Sequence, residues 1–227
     1  VSVNHQRERM LTALVIIEAI ELFILAPVSA VVTVPPGSFL VVVTINVAVV
    51  LAVVWHRRRD VVAVAFATLI EVAAVTLRIV LPSARTESLD FAAVMLLLVT
   101  LTIGLASTVF GPGRVTVHRI VGAIAIYLNV ATLFALAYRV IATLGPGRFA
   151  FPHSAASPSH TLADLVYFSF STLTTTGYGD IVPVDPFARS LANVEAVIGQ
   201  LFPATLLARL ITLELEHRRA LRDDARD

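Results

Sequence analysis

Seven consecutive residues, Thr174-Thr175-Thr176-Gly177-Tyr178-Gly179-Asp180, gather three hydroxyls, two glycines, a phenol and a carboxylate inside an otherwise apolar stretch of chain. No nucleophile with a neighbouring base is among them; the chemistry they share is coordination of a cation by oxygen. The short apolar piece Leu162 to Leu173 runs into them, and the C-terminal end of such a helix carries the negative dipole pole that favours a cation. Glycine at 177 and 179 opens backbone conformations closed to other residues, so that successive carbonyls can face one axis. Between them Tyr178 can turn its ring outward against Tyr167 and Phe168 and hold those carbonyls at a fixed radius. Thr175 can add its hydroxyl at the inner mouth and Asp180 a carboxylate at the outer mouth. Thr161 followed by Asp164 spells a capping box at the start of the short helix.

The elements that position these residues belong in a bilayer. With 57% hydrophobic and 15% charged residues, the chain carries more apolar surface than a soluble domain of this size buries. Segments 10–32, 38–55, 61–81, 89–110, 119–143 and 187–213 each approach the roughly 20 residues that a crossing helix needs. The piece Leu162 to Leu173, the body of a short helix placed at 161–174, cannot cross: about 18 Å of helix faces a core of about 30 Å. It must enter and return, which is tolerated only where protein or a water-filled cavity satisfies its polar groups. The expected fold is therefore an all-α integral membrane protein with six transmembrane helices and a re-entrant helix. The apolar run from Met10, longer than a signal-peptide core and containing Glu18 and Glu21, reads as a retained first span. All 17 basic residues are arginines, and they collect at alternate connections, which predicts that both termini are cytoplasmic and that the host is a plasma (inner) membrane.

The sequence FSTLTTTGYGDIVP resembles the signature of the pore-loop potassium channels through Thr174, Thr175, Gly177, Tyr178, Gly179 and Asp180. The resemblance is strong over about 161–215. It implies a potassium-binding selectivity filter at Thr175, Thr176, Gly177, Tyr178 and Gly179, supported by Thr174, Asp180, Tyr167, Phe168 and Glu195. It also implies a homotetramer, since one chain supplies one loop and a ring of four is needed. Thr176 stands where the family has valine, so its hydroxyl needs a partner behind the filter. In the last span Pro203 lacks the donor for the Gly199 carbonyl, and Gly199 matches the family's hinge. Gln200, Ala204, Leu207 and Ile211 then fall on one face as a candidate gate. The implied activity is passive potassium conduction. A non-selective cation channel and a non-conducting membrane subunit are the competing readings.

By this reading 1–110 is a four-span peripheral unit, 111–118 a linker, 119–215 the pore unit with inner helix 187–215, and 216–227 a short tail. The fourth span, LDFAAVMLLLVTLTIGLASTVF, bears no arginine, so voltage sensing of the arginine-ladder type is not expected. Arg114 and Arg119 are expected at the cytoplasmic lipid surface. Glu18, Glu21, Glu71 and Arg78 lie inside spans, where charges are costly, and an ion-paired cluster is the expectation. Cysteine is absent, which excludes disulfides, thiolate catalysis and cysteine metal sites. No metal-ligand histidine spacing, phosphate loop or nucleophile elbow occurs, so no enzyme and no cofactor are expected, potassium being the only metal ion. A net charge of +1 gives no polyelectrolyte partner such as nucleic acid. The partners expected are three further copies and membrane lipid, with no small-molecule substrate.

Overall fold

A computed structural model describes residues 2–25, 27–28, 44–51, 58–111, 116–145, 147–151 and 162–224. Helix α1 spans Ser2–Ile20 and passes into a π-helical turn, Glu21–Leu25. Helices α2 (Arg58–Val80), α3 (Ala84–Val109) and α4 (Val117–Thr143) follow, then strand β1 (Phe149–Ala150), α5 (Leu162–Leu173), strand β2 (Val182–Pro183) and α6 (Pro186–Asp224). Four of the described helices are long and apolar enough to cross a membrane: Arg58–Val80, Arg85–Val109, Arg119–Thr143 and Pro186–Arg209. They match the last four expected spans. The second expected span is described only over 44–51, and residue 161, with the capping box it would start, lies outside the described residues.

Local sequence explains the helix limits. Leu81-Pro82 ends α2, because proline disfavours helical backbone in the residue before it. Ser83 then caps α3, accepting from the Thr86 N–H at 3.2 Å while Thr86 Oγ1 accepts from the Ser83 N–H at 3.0 Å. Asp185 caps α6, its Oδ1 accepting from the N–H groups of Phe187 and Ala188 at 2.8 and 3.2 Å. Pro186 occupies the first helical position, where its missing N–H costs nothing.

Helix α4 is the axis of the molecule, packed by α1, α3, α5 and α6. One core joins Leu11, Leu14, Leu101, Leu105 and Ala123; a second joins Tyr138, Phe149, Leu165 and Phe168 around α5. Helix α2 buries only Val64, Ala67 and Glu71, a narrow stripe at helical spacing, and turns Phe66, Leu69 and Val72 outward as a lipid-facing helix would.

Three differences from the sequence-based expectation have simple causes. The chain is not purely helical: Phe149 pairs with Pro183 and Ala150 with Val182 in an antiparallel ribbon, too short to show any alternation in sequence. Helix α6 is not interrupted at Pro203 and ends at Asp224 rather than 215, the charged stretch after Leu213 continuing the helix as its composition allows. Arg119 does not simply face lipid headgroups, because its Nη1 donates to the Gly111 carbonyl at 2.8 Å and so closes the α3–α4 connection.

Candidate functional site

Helix α5 delivers the chain to the 174–179 segment, all of which is exposed in the single chain. The N–H groups of Thr176 and Gly177 donate to the Ser171 carbonyl at 2.9 and 3.0 Å, and that of Tyr178 to Ser171 Oγ at 3.2 Å. Across a trans peptide the carbonyl points opposite to the N–H. The carbonyls of Thr175, Thr176 and Gly177 therefore all point away from α5, toward the open side. Positive φ at Thr175 (58°), Gly177 (59°) and Gly179 (77°) supplies the alternation of handedness that turns successive carbonyls the same way. Glycine meets this at 177 and 179 without strain, whereas Thr175, β-branched, is held there against its preference.

The row is clamped at both ends. At its start, Tyr127 Oη donates to the Leu173 carbonyl at 3.2 Å. At its far end, Tyr167 Oη donates to Asp180 Oδ2 at 2.8 Å, the Ile181 N–H donates to Asp180 Oδ1 at 3.0 Å, and the β1–β2 ribbon ties the exit to the end of α4. Arg148 pairs with Asp185 beside that ribbon. The Tyr178 ring stacks on Tyr167, centroids 6.0 Å apart and 10° from parallel.

The Thr176 hydroxyl has its partner. Thr174 Oγ1 donates to the Phe170 carbonyl at 2.6 Å, so at 2.8 Å Thr176 donates to Thr174 Oγ1. Thr176→Val removes that one bond at nearly constant volume. It is expected to cost about 1 kcal/mol or less, checked by thermal unfolding of the detergent-solubilised protein.

Glu195 is fully buried between three helices. Tyr138 Oη of α4 donates to its Oε2 at 2.6 Å, and Ser169 of α5 donates to its Oε1 while lying 2.7 Å from the Ala131 carbonyl. Glu195→Ala strands the buried Tyr138 hydroxyl and opens a void, for an expected loss of about 3 kcal/mol; Glu195→Gln, which keeps the shape, should lose much less. Thermal unfolding of the detergent-solubilised protein checks both.

Phe168, expected beside Tyr178, faces the other way. It lies 5.0 Å from the Tyr138 ring and 5.8 Å from Phe149, because neighbours on a helix point about 100° apart and Tyr167 takes the side of the 174–180 segment. Gly199 is a point of contact: a Cβ there would lie 1.8 Å from the Leu173 carbonyl oxygen, so α6 crosses the end of α5 at backbone distance. Gln200, Ala204, Leu207 and Ile211 are exposed in the single chain, whereas Phe202 and Leu206 on the adjoining face pack on the core.

The expected charge cluster divides into three places. Arg78, near the end of α2, pairs at 2.6 Å with Asp90 in the neighbouring helix and not with a glutamate. Glu71 lies seven residues earlier, about 10 Å along the helix; it is buried, with neither carboxylate oxygen hydrogen-bonded among the described residues. Glu18 and Glu21 sit together against α3 and α4. Reading the sequence alone missed Ser171, Ser169, Tyr127 and Tyr138. Their one signal was serines two apart in FSFS and tyrosines in an otherwise aliphatic span.

A family described as "Ion channel" matches residues 143–215, from the end of α4 into α6. Two pore potassium channel c of Oryza sativa is 38% identical over 90 residues, 38% of this chain and 19% of its own length. Protein LctB of Bacillus caldotenax is 32% identical over 94 residues, 40% of this chain and 69% of that protein. Inward rectifier potassium channel Kirbac3.1 of Paramagnetospirillum magnetotacticum is 36% identical over 80 residues, 34% of this chain and 23% of its own length. The aligned segment is thus under a quarter of the rice and Paramagnetospirillum proteins. No solved structure matches the chain significantly. Apolar helices and these relatives define a multi-pass membrane protein of the ion-channel class, not an enzyme. The chain belongs to the pore-loop potassium-channel superfamily.

Proposed function

We propose that the chain is one subunit of a potassium-selective channel that conducts passively through carbonyl oxygens of residues 175–179. The observation that carries this reading is the direction of three peptide planes: with the N–H groups of 176–178 committed to Ser171, the oxygens face the open side, where they can replace an ion's hydration shell. One exposed loop per chain supports a ring of four copies around a common axis. The end of α5 aims its negative dipole pole at the same place. Six spans, with both termini in the cytoplasm of a cell bounded by its plasma membrane, fit the arginine distribution. A hinge at Gly199 and Pro203, with Leu207 and Ile211 as an apolar constriction, is the gate that accompanies this reading.

The test is flux from potassium-loaded liposomes against sodium and potassium gradients. Potassium-only flux supports the proposal; equal sodium flux transfers it to a non-selective cation channel, and a chain that never conducts is a membrane subunit of another kind. Four copies around one pore also predict subunit poisoning. A one-to-one mixture of wild-type and non-conducting chains should retain about 6% of the wild-type flux, the fraction of all-wild-type rings, against about half if each chain conducts alone.

A further inference from the structure

Away from the 174–180 segment, the α1 end, the segment 44–51, α3 and α4 line a half-open cavity of about 120 Å³. Its polar wall is Glu18, Glu21, Asn46, Asn129 and Thr132. Glu18 is 6% exposed, and its Oε2 has no hydrogen-bond partner among the described residues. Glu21 is steadied by Asn46, whose Nδ2 donates to both carboxylate oxygens at 2.9 and 2.8 Å. Thr132 commits its hydrogen to the Leu128 carbonyl at 3.0 Å, leaving an acceptor toward the cavity. The helix loosens into its π-turn at Glu21, a departure that often marks functional positions. The facing wall is aliphatic, from Leu97, Leu98 and Leu101 of α3.

Among the described residues, no arginine or histidine lines this cavity. Three arginines of the neighbouring helices are engaged elsewhere, Arg78 with Asp90, Arg139 with Glu87 and Arg119 with the Gly111 carbonyl. Asn129 lies near the midpoint of α4, so the two carboxylates stand deep in the apolar layer, where a charge persists only with a partner. The volume and the second wall say what kind of partner. The space is several times the roughly 30 Å³ share of one water and approaches the roughly 150 Å³ of an apolar cavity that admits benzene. A bare hard cation takes about six oxygens, and the leucine wall offers none. A cationic head on Glu18 with a hydrocarbon body against the leucines matches both walls.

We propose that this cavity binds a small organic monocation of the alkylammonium class, its charge seated on Glu18 and its apolar body against Leu97, Leu98 and Leu101. The site is separate from the conduction path and does not rest on the channel reading. The experiment uses the full chain in lipid nanodiscs, titrated calorimetrically with n-propylammonium, with the neutral isostere 1-propanol and with potassium chloride at matched concentration. Saturable heat is expected for propylammonium alone. Glu18→Gln, which keeps the side-chain shape, should weaken it at least tenfold, and Leu101→Phe, which fills the cavity, should abolish it. Tyr178→Ala, which alters the 174–180 segment without adding a charge, should leave it unchanged within twofold, which distinguishes the cavity from occupancy of that segment. Equal binding in Glu18→Gln, a response reproduced by 1-propanol, loss of binding in Tyr178→Ala, or no saturable heat in the wild type would each overturn the proposal, the last meaning that protons alone neutralise the pair. If Leu101→Phe does not fold, Glu18→Gln decides.

Discussion

Gly177→Asp is expected to eliminate potassium flux from liposomes while the chain keeps its fold. Gly177 has φ 59°, in the left-handed region that aspartate tolerates better than most residues. A Cβ there meets no atom of its own chain within 4 Å, so the helices have no reason to move. The carboxylate would instead project from a segment whose backbone oxygens already face one open side. Four such charges around a shared axis would hold a cation too tightly to release it, and conduction needs binding weak enough to leave. Melting temperature and oligomer size should match the wild type, and flux should fall to background. Tyr178→Ala, which removes the ring stacked on Tyr167, is expected to conduct poorly for a different reason, loss of the brace. Wild-type flux in Gly177→Asp would mean that ions travel elsewhere.

Gly199→Ala is expected to be the most destabilising single-methyl change in the protein. The added Cβ would sit 1.8 Å from the Leu173 carbonyl oxygen and 2.7 Å from its carbon. These are backbone atoms with no rotamer to yield, and the oxygen is also the acceptor for Tyr127. Either α6 moves outward or the end of α5 does. Overpacking of this kind costs about 3 kcal/mol at the upper end of the usual range. In a chain of 227 residues that corresponds to a fall of about 6–12 °C in melting temperature. Ala204→Ser, at an exposed position of the same helix, is the matched control and should melt with the wild type. An unchanged melt for Gly199→Ala would refute the close crossing.

What the sequence made legible was the chemistry that backbone conformation dictates. Alternate glycines can be read directly, because few residues accept positive φ, and the short helix α5 follows from the length of its apolar run. What stayed hidden depends on which neighbour lies across a helix interface. A serine such as Ser171 has no periodicity to announce that it will receive three N–H groups. Charges inside spans are visible as costs, yet their partners come from other helices: Asp90 for Arg78, Asn46 for Glu21. Tyr167 and Phe168 are equivalent as letters, and only the helix rotation assigns one to Tyr178 and the other to the core. A glycine in the last helix likewise suggests bending, although a close crossing demands the same residue.

That crossing gives α6 a bearing. Above it, Glu195 fixes the helix to α4 and α5 through Tyr138 and Ser169; below it, Leu207, Ile211 and Leu215 have no such attachment and stand exposed. Phe202 and Leu206 carry the core contact just past the crossing, so the unsupported length begins at Leu207, and its sideways displacement is passed through them to the crossing. The contact there is the Leu173 carbonyl, one residue before the 174–180 segment begins. Movement at the exposed end of α6 is thereby geared to the start of the 174–180 segment.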